Sequence, residues 1–475
     1  MDSFAYEGFS RAPFRMRLWS KLCFESRCIL IAGFSIGAIG IIVVPPVVTF
    51  DGPSHYFRAE QISIGQFRAS RYSDTQFGGQ IPANSSNFVG ALWSSYWVDH
   101  RFLTLSDWSR IDRESGGSAT GVRREFTNSA VYSPANYLPQ SCGMLIVRIF
   151  TQSPLWAHRA ACGANLVAYL LLMALVLEAM PPFRTALLLV ATSPLLLVQA
   201  ATESIDALNF AFPMLLVAMV WRIWNQPALN HRITLRGLLL LSLYIALLKP
   251  TNVACLGLLL FLPTAAFGSP RNKVIWLVAT LVLSTGVWLA WNAAYLDVNV
   301  AGWYDPKHPA VSEQKAWLLR HPADFVGTFW SFLRRELLVQ WEYSYSGIGG
   351  WVSGRLQFFL QRLSDLILGI LVVAPICFGK RDLRWSSLCA MMAVGVLAFI
   401  ALTLWVSYGV KHEAYIPYLG GRYLFVPFMF AVMAWSSLFN GPRDRPRRWA
   451  ILLGLSINLV GLSSVLMETA RITVG

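Results

Sequence analysis

Long uncharged blocks of apolar residues alternate with short basic connectors through most of the chain. Residues 29–50, 274–296 and 385–410 carry no charged side chain. About 20 apolar residues cross a bilayer as an α-helix, because a helix satisfies its own backbone hydrogen bonds in lipid. The pattern therefore predicts membrane helices. About a dozen apolar segments are expected on this length criterion, near 29–48, 134–150, 158–178, 183–201, 205–221, 236–249, 251–268, 274–296, 363–379, 384–409, 421–440 and 448–467.

Two long polar segments, 49–133 and 297–362, interrupt this series. The first mixes Trp, Tyr, Arg and Asp, as a loop packed on a membrane interface does. We expect these loops to hold short amphipathic helices. The predicted fold is all-α: a basic tail at 1–28, followed by one polytopic membrane domain at 29–475 with about 11–13 transmembrane helices.

The composition is typical of a membrane protein and argues against nucleic-acid binding. Hydrophobic residues make up 55% of the chain and charged residues 13%, against about 25% charged residues in a typical soluble domain. A net charge of +14 would suggest nucleic-acid binding in a soluble protein. Here the basic residues lie in connectors between apolar blocks, where the positive-inside rule places them. We therefore expect membrane lipid, and no nucleic acid, as a partner.

The basic connectors also predict the orientation, because Lys and Arg are enriched in cytoplasmic loops. They place the N-terminus in the cytoplasm and both long loops, 49–133 and 297–362, on the other side of the membrane. With both loops on that side, the number of membrane crossings between them and the cytoplasmic connectors fits only if segment 134–150, or another short segment, does not cross. The connectors expected to be cytoplasmic contain Arg222, Arg232, Arg236, Arg271, Lys273, Lys380, Arg381, Arg384, Arg443, Arg445, Arg447 and Arg448.

The seven cysteines lie in or beside apolar segments, and no two of them have CxxC spacing. The long polar segments contain no cysteine. Disulfide frameworks and zinc sites in small domains show characteristic cysteine spacings. We therefore predict neither a disulfide framework nor a zinc site.

Asp51 and His55 stand where the first apolar segment meets the first long loop. If a helix begins near Pro53, Asp51 precedes its N-terminus and His55 lies in its first turn. A carboxylate there can act as a general base or bind a cation. It can equally cap the helix, and spacing alone leaves both open.

A second candidate is the polar corner Thr202-Glu203-Ser204-Ile205-Asp206 between two short apolar segments. Carboxylates at membrane depth are costly and often functional. Glu203 and Asp206 are therefore candidate substrate-binding residues. The alternative is a polar corner in the headgroup region.

The cationic candidates are Arg422, Lys249 and Arg159. Arg422 and Tyr423 open an apolar segment after two glycines, and both are candidate substrate-binding residues. An Arg at this position can clamp a phosphate with its planar fork, or it can extend to water from the interface. Lys249 and Arg159 carry a weaker signal, and Arg159 is equally well explained as an ordinary interface residue.

Four elements in this order resemble those of a bacterial membrane-protein family, domain of unknown function family 2142. Its pattern is an Asp-Glu-x-x-His element, a Tyr-Ser-Pro-x-x-Tyr-x-Pro-Gln element, a Ser-x-Asp corner and a Gln-Gly-Arg-Tyr element. The resemblance covers about residues 40–440. Gly52 stands where the family tends to have an acidic residue, and Gly420 where it tends to have Gln. The matching residues are Asp51 and His55, 132–140, Ser204 and Asp206, and 421–423.

The segment 126–140 that carries the second element also has a simpler explanation. It returns the long loop to the membrane through two prolines and two tyrosines. The missing acid at Gly52 leaves Asp51 without an adjacent carboxylate. Glu203 or Asp206 is then the candidate second carboxylate.

The family in turn resembles the GT-C glycosyltransferases, which use polyprenyl-phosphate-linked sugars and carry a catalytic Asp in the first outer loop. The resemblance implies a bacterial inner-membrane enzyme that transfers the sugar, with inversion, to a glycan, lipid-linked or protein acceptor. It implies that Asp51 is the general base. It also implies that Arg422, together with Lys249, offsets charge on the leaving phosphate and that His55 binds the phosphate or the acceptor. Whether a divalent cation joins Asp51 and Asp206 stays open.

Two other functions fit the same features. A transporter or flippase of lipid-linked glycans would also need charged groups at membrane depth, although transporter folds often contain inverted repeats and none is visible in the sequence. A glycan polymerase or ligase shares the topology and the lipid-linked substrate. The sugar and the acceptor are not specified by the sequence.

Overall fold

The computed structural model describes residues 22–49, 51–72, 76–116, 121–227, 231–293, 311–340, 354–378, 381–408, 416, 421–439 and 445–474. The predicted basic tail falls outside these ranges up to residue 21, and so do residues 297–310 and 341–353 of the second long loop. The α-helices are α1 (Phe24–Val43), α2 (Gly52–Ser63), α3 (Ala83–Trp93), α4 (Leu105–Glu114), α5 (Thr127–Ala130), α6 (Leu138–Arg148), α7 (Pro154–Ala179), α8 (Arg184–Ala191), α9 (Pro194–Ala200), α10 (Asp206–Asn225), α11 (Arg232–Leu247), α12 (Pro270–Ala293), α13 (Val311–Arg320), α14 (Pro322–Arg335), α15 (Gly354–Phe378), α16 (Leu383–Tyr408), α17 (Phe425–Ser436) and α18 (Arg445–Val474).

Shorter helical elements complete the described chain. A π-helix follows α3, and the other elements are 3₁₀ helices. They are Ser94–Val98 (π), Pro134–Tyr137, Pro181–Phe183, Pro250–Phe261, Thr264–Phe267 and Gly421–Tyr423.

Seven of the described helices are long and apolar enough to cross a membrane: α1, α7, α10, α12, and most of α15, α16 and α18. Helices α8 and α9 are bent by 77° relative to each other, and the pair forms either a broken span, the eighth, or a re-entrant loop. The expectation of an all-α polytopic membrane protein is confirmed. The other predicted segments appear as shorter elements, namely α6, α11, the 3₁₀ helix Pro250–Phe261 and α17.

Among the described residues, those at the end of α10, just before α16 and just after α17 meet at one end of the helix bundle, whereas Lys380 and Arg443 lie outside the described ranges. Trp224, in the last turn of α10, donates a hydrogen bond from Nε1 to Oδ2 of Asp382 at 3.4 Å. Asp382 N in turn donates to the backbone oxygen of Ser437, just after α17, at 2.9 Å. At the start of α1, Cys23 N donates to Oε1 of Glu178 at the end of α7, at 2.7 Å. We call this end, which carries Arg222, Arg232 and Arg384, the basic end. Asp51, Asp206, Lys249 and Arg422 lie at the opposite end, the site end.

Segment 134–150 does not cross from one end to the other. Helix α6 has 11 residues, which span about 16 Å at 1.5 Å per residue. Its first turn follows Tyr137, which contacts His55, and its last residue, Arg148, is paired with Glu60 of α2. Both ends of α6 therefore lie with the first long loop. Segment 134–150 is therefore a short segment that does not cross, as the predicted positions of the two long loops require.

The first long loop contains a small antiparallel sheet besides the expected short helices. Its strands are β1 (Ser70–Arg71), β2 (Phe77–Pro82) and β3 (Gly121–Glu125), in the order β1-β2-β3. Gly78 pairs with Glu125, and a Cβ on Gly78 would lie 1.8 Å from Arg124 O. Glycine permits this close approach of two strands. Apolar periodicity, from which the helices were predicted, does not indicate such a sheet.

Glycines also bring α1 against α7. A Cβ on Gly37 would lie 2.5 Å from the Leu166 side chain, and a Cβ on Gly33 would lie 2.6 Å from Leu170. Small residues at helix interfaces let backbones approach closely in membranes. This contact fixes the end of α1, and with it the turn that carries Asp51.

Candidate functional site

A turn with left-handed backbone conformations connects α1 to α2. Val47 has φ 54° and Asp51 has φ 59°. Positive φ is uncommon outside glycine, and for a β-branched residue such as Val it is an outlier. Such conformations cost about 1–3 kcal/mol each and concentrate at functional sites. The turn presents the Asp51 side chain to the centre of the site end.

Asp51 occupies the N-cap position of α2, but its side chain makes no capping hydrogen bond. Its carboxylate instead binds residues distant in sequence. Oδ1 accepts a hydrogen bond from Asn128 Nδ2 at 2.7 Å, and Oδ2 lies 3.4 Å from Arg422 Nη2. Helix capping therefore does not explain this carboxylate.

Arg422 bridges two carboxylates. Its Nη2 faces Asp51, and its Nη1 lies 3.5 Å from Oδ2 of Asp206. The other oxygen of Asp206 is ion-paired with Lys249 Nζ. The four groups form a chain of alternating charge, Asp51–Arg422–Asp206–Lys249, with a formal net charge of zero.

The four charged side chains differ in their exposure to solvent: two of them are partly exposed and two are buried. The side chains of Asp51 and Arg422 are 33% and 23% exposed, whereas those of Asp206 and Lys249 are each 6% exposed. An incoming ligand can therefore touch Asp51 and Arg422. Asp206 and Lys249 support them from behind.

Two tyrosines surround the cations. Lys249 Nζ lies 5.6 Å from the ring centroid of Tyr132 and 5.1 Å from that of Tyr423. The Arg422 guanidinium lies 5.4 Å from the Tyr423 ring. A cation within about 6 Å of an aromatic face is attracted by the ring quadrupole. The rings therefore help to hold both cations in place.

His55 lies beside this group and is buried. Its Nδ1 is 2.8 Å from the Tyr137 hydroxyl, and its ring stacks on Tyr132 at a centroid distance of 6.5 Å. Burial lowers the pKa of His55, against the opposing charges of Asp51 and Asp206. At neutral pH His55 is therefore a neutral hydrogen-bonding group.

The charge of Asp51 is held by its neighbours. Burial by itself would raise the pKa of the carboxyl, but the Arg422 guanidinium and the Asn128 hydrogen bond outweigh it and lower the pKa below its ordinary value. Asp51 is thus ionised at neutral pH. It can accept a proton or face a cation.

Asparagines fix the backbone that carries Lys249. Asn209 Oδ1 accepts hydrogen bonds from Lys249 N at 3.2 Å and from Asn252 Nδ2 at 2.6 Å. Asn136 Nδ2 donates to Leu247 O at 2.9 Å. These contacts tie the end of α11 to α10 and to the segment before α6, and they direct Lys249 towards Asp206.

Glu203 points away from this group. Its Oε2 lies 3.0 Å from His158 Nε2 and 4.0 Å from Cys162 Sγ, and its Oε1 accepts a hydrogen bond from Thr49 at 3.3 Å. Arg159 is also elsewhere, with its guanidinium 5.3 Å from the Trp156 ring. Of the predicted site residues, the structure brings together Asp51, His55, Asp206, Lys249, Arg422 and Tyr423, and it separates Glu203 and Arg159 from them.

The position for a divalent cation between Asp51 and Asp206 is taken by Arg422, whose two terminal nitrogens face the two carboxylates. Among the residues that the structure describes, a different set places three metal-ligating atoms within 4.8 Å of one another: His158, Cys162 and Glu203. All three residues are buried. The residues near Asp51 therefore do not fit a bridging metal in this arrangement.

Sequence reasoning missed several residues of the site. Asn128, Tyr132 and Tyr137 come from segment 126–140, for which the sequence favours simple loop re-entry. The signal for Tyr132 and Tyr137 is their place in the Tyr-Ser-Pro-x-x-Tyr-x-Pro-Gln element, whereas Asn128 precedes that element and has no such signal. His158 and Cys162 had a weaker signal, since residues four apart share one face of a helix.

The fold and the site together define a polytopic membrane protein with a charge-paired cluster at one end of its helix bundle. The chain belongs to the family described as "Predicted membrane protein (DUF2142)", whose model matches residues 34–432. No curated protein and no solved structure matches the chain.

Proposed function

We propose that this protein is a membrane glycosyltransferase that transfers a sugar from a polyprenyl-phosphate donor to a glycan, lipid-linked or protein acceptor. One observation carries the proposal. Asp51 is an ionised, partly exposed carboxylate that does not cap its helix and that shares an open edge with the Arg422 guanidinium. A base beside a planar phosphate-binding cation is the pair that such a transfer needs.

In the proposed reaction the acceptor hydroxyl attacks the anomeric carbon of the donor sugar. Its proton passes to Asp51 as the new C–O bond forms. The bond between the anomeric carbon and the phosphate oxygen breaks, and its electron pair stays on the phosphate oxygen. Attack opposite the leaving group inverts the anomeric configuration.

Arg422 is the proposed phosphate ligand. The leaving phosphate gains one negative charge as the glycosidic bond breaks, and a preorganised cation stabilises such charge. The guanidinium has five N–H donors, so its two terminal nitrogens can donate to two phosphate oxygens while they also face Asp51 and Asp206. Lys249 has a supporting role in this proposal, because it is buried against Asp206. His55, neutral and adjacent, is the proposed hydrogen-bond partner of the acceptor or the phosphate.

We also propose the orientation. The described parts of the basic connectors meet at one end of the bundle, and basic connectors are enriched on the cytoplasmic side. This supports a bacterial inner-membrane protein with a cytoplasmic N-terminus. The site end, with loops 49–133 and 297–362, then faces the non-cytoplasmic side, where lipid-linked donors with outward-facing sugars are available.

The test compares Asp51→Asn with wild type at equal amounts in the membrane. The measurements are sugar transfer from polyprenyl-phosphate donors and the surface-glycan composition of cells that lack the native protein. We expect activity to fall by about 10²–10⁴-fold, the usual contribution of general-base catalysis. Asp99→Asn, at an exposed position of the same loop, is the matched control and should behave as wild type.

Asn at position 51 also places an amide against the Arg422 guanidinium. Expression and thermal stability in detergent are therefore measured on the same samples. Activity within a few-fold of wild type in a stable Asp51→Asn protein would remove Asp51 from the mechanism. Lipid-linked glycan that accumulates on the cytoplasmic side, with no loss of transfer in membranes, would favour a flippase. An altered glycan chain length with unchanged sugar composition would favour a polymerase or ligase.

A further inference from the structure

A compact cluster of His158, Cys162 and Glu203 lies behind the turn that carries Asp51. His158 and Cys162 are four residues apart on one face of α7, and Glu203 lies in the corner between α9 and α10. Their side chains are nearly inaccessible, with relative exposures of 5%, 0% and 1%. None of them belongs to the Asp51–Arg422–Asp206–Lys249 group.

The three ligating atoms form a triangle of metal-site dimensions. His158 Nε2 lies 3.0 Å from Glu203 Oε2 and 3.6 Å from Cys162 Sγ, and Sγ lies 4.0 Å from Oε2. In a tetrahedral zinc site with Zn–N and Zn–O near 2.0–2.1 Å and Zn–S near 2.3 Å, the edges between ligand atoms are about 3.3–3.6 Å. The observed triangle deviates from one face of that tetrahedron by a few tenths of an ångström.

The chemistry of the donors selects among metals. Imidazole nitrogen, thiolate sulfur and carboxylate oxygen are the ligands that zinc uses in proteins. A thiolate disfavours magnesium and calcium, which prefer oxygen ligands. A thiolate and a carboxylate also cancel the double charge of the ion. A buried zinc site with these ligands is therefore neutral, which avoids the large cost of an uncompensated charge away from water.

We propose that His158, Cys162 and Glu203 bind a zinc ion. Neighbouring side chains hold the ligands in place, as the outer shell of a metal site does. The Thr49 hydroxyl donates to Glu203 Oε1 at 3.3 Å, which leaves Oε2 directed at His158. The Tyr56 ring stacks on the His158 ring at a centroid distance of 6.1 Å.

The ion would link three segments that are far apart in the sequence: α7, the corner at Glu203, and, through Thr49, the turn before Asp51. Gly52 belongs to the same contact, since a Cβ there would lie 2.7 Å from Glu203 Oε1. The zinc ion would therefore stabilise the turn between α1 and α2, in which Val47 and Asp51 have positive φ. The proposal does not depend on glycosyl transfer. It differs from the sequence-based prediction of no zinc site, which relied on cysteine spacing within one segment.

The experiment measures bound metal directly. The full-length protein is purified in detergent through a tag without histidines, dialysed against zinc and then against metal-free buffer, and analysed by elemental mass spectrometry. About one zinc per chain is expected for wild type and for Cys255→Ser, which changes a buried cysteine outside the cluster. Cys162→Ser and His158→Gln should fall to background.

A second measurement needs no variant to fold. Cobalt(II) replaces zinc in wild-type protein, and a thiolate ligand then produces a sulfur-to-cobalt charge-transfer band together with the intense visible bands of tetrahedral cobalt. Added zinc should abolish both. A wild-type protein without the charge-transfer band, or zinc content unchanged in folded Cys162→Ser, would overturn the proposal.

Discussion

The buried pair of Asp206 and Lys249 supports an energetic prediction. Each side chain is 6% exposed, and their charged atoms are in direct contact. Removing one partner of a buried ion pair typically costs about 3–5 kcal/mol, because the remaining charge stays away from water without its counter-ion. The structure indicates where in this range each variant should fall.

Lys249→Met should lie at the lower end, at about 3 kcal/mol. Asp206 keeps Arg422, whose Nη1 is 3.5 Å from Oδ2. Asp206→Asn should lie at the upper end, at about 5 kcal/mol, because it removes the carboxylate that pairs with Lys249 and also loosens Arg422. The double variant should recover part of the loss, with a coupling energy on the order of 1–3 kcal/mol.

The assay is reversible unfolding in mixed micelles, followed by tryptophan fluorescence, for wild type, both single variants and the double variant. Arg110→Met is the control, since Arg110 belongs to an exposed ion pair with Asp107, and exposed pairs contribute little to stability. A loss of stability in Lys249→Met no larger than in this control would show that the pair is not energetically coupled. Effects of the two single variants that simply add in the double variant would show the same.

Three further predictions concern the site, its turn and the topology. Arg422→Lys keeps the charge but loses the planar fork, so the KM for the polyprenyl-phosphate donor should rise about tenfold or more; wild-type donor affinity in Arg422→Ala would contradict this. Gly52→Ala should destabilise the protein by about 1–3 kcal/mol, because its Cβ would lie 2.5 Å from a backbone oxygen. Gly90→Ala, with open space around its Cβ, should stabilise its helix by about 0.5–1 kcal/mol, and similar effects at the two positions would refute the packing argument. A cysteine at exposed Asp99 should react with an impermeant thiol reagent in intact cells, whereas one at Arg381 should react only after permeabilisation; the reverse result would invert the topology.

The sequence by itself determined the class of fold. Uncharged apolar blocks of membrane-spanning length have no stable alternative to helices in lipid, so the all-α polytopic architecture follows from local composition. The basic connectors also predicted that Asp51 and Asp206 lie on one side of the membrane. That prediction required one short segment not to cross, and only the structure showed that segment 134–150 is the one.

Only the tertiary structure decided which of these groups meet. Apolar periodicity shows that a helix exists, but it does not determine how the helix rotates and packs against helices far away in the sequence. That packing set Arg422 between Asp51 and Asp206 and turned Glu203 towards His158 and Cys162. It also showed that Asp51 does not cap α2, which spacing could not decide. Local sequence thus fixes the helices and their ends, while long-range packing selects the charge partners, because those partners come from segments whose relative positions no local pattern encodes.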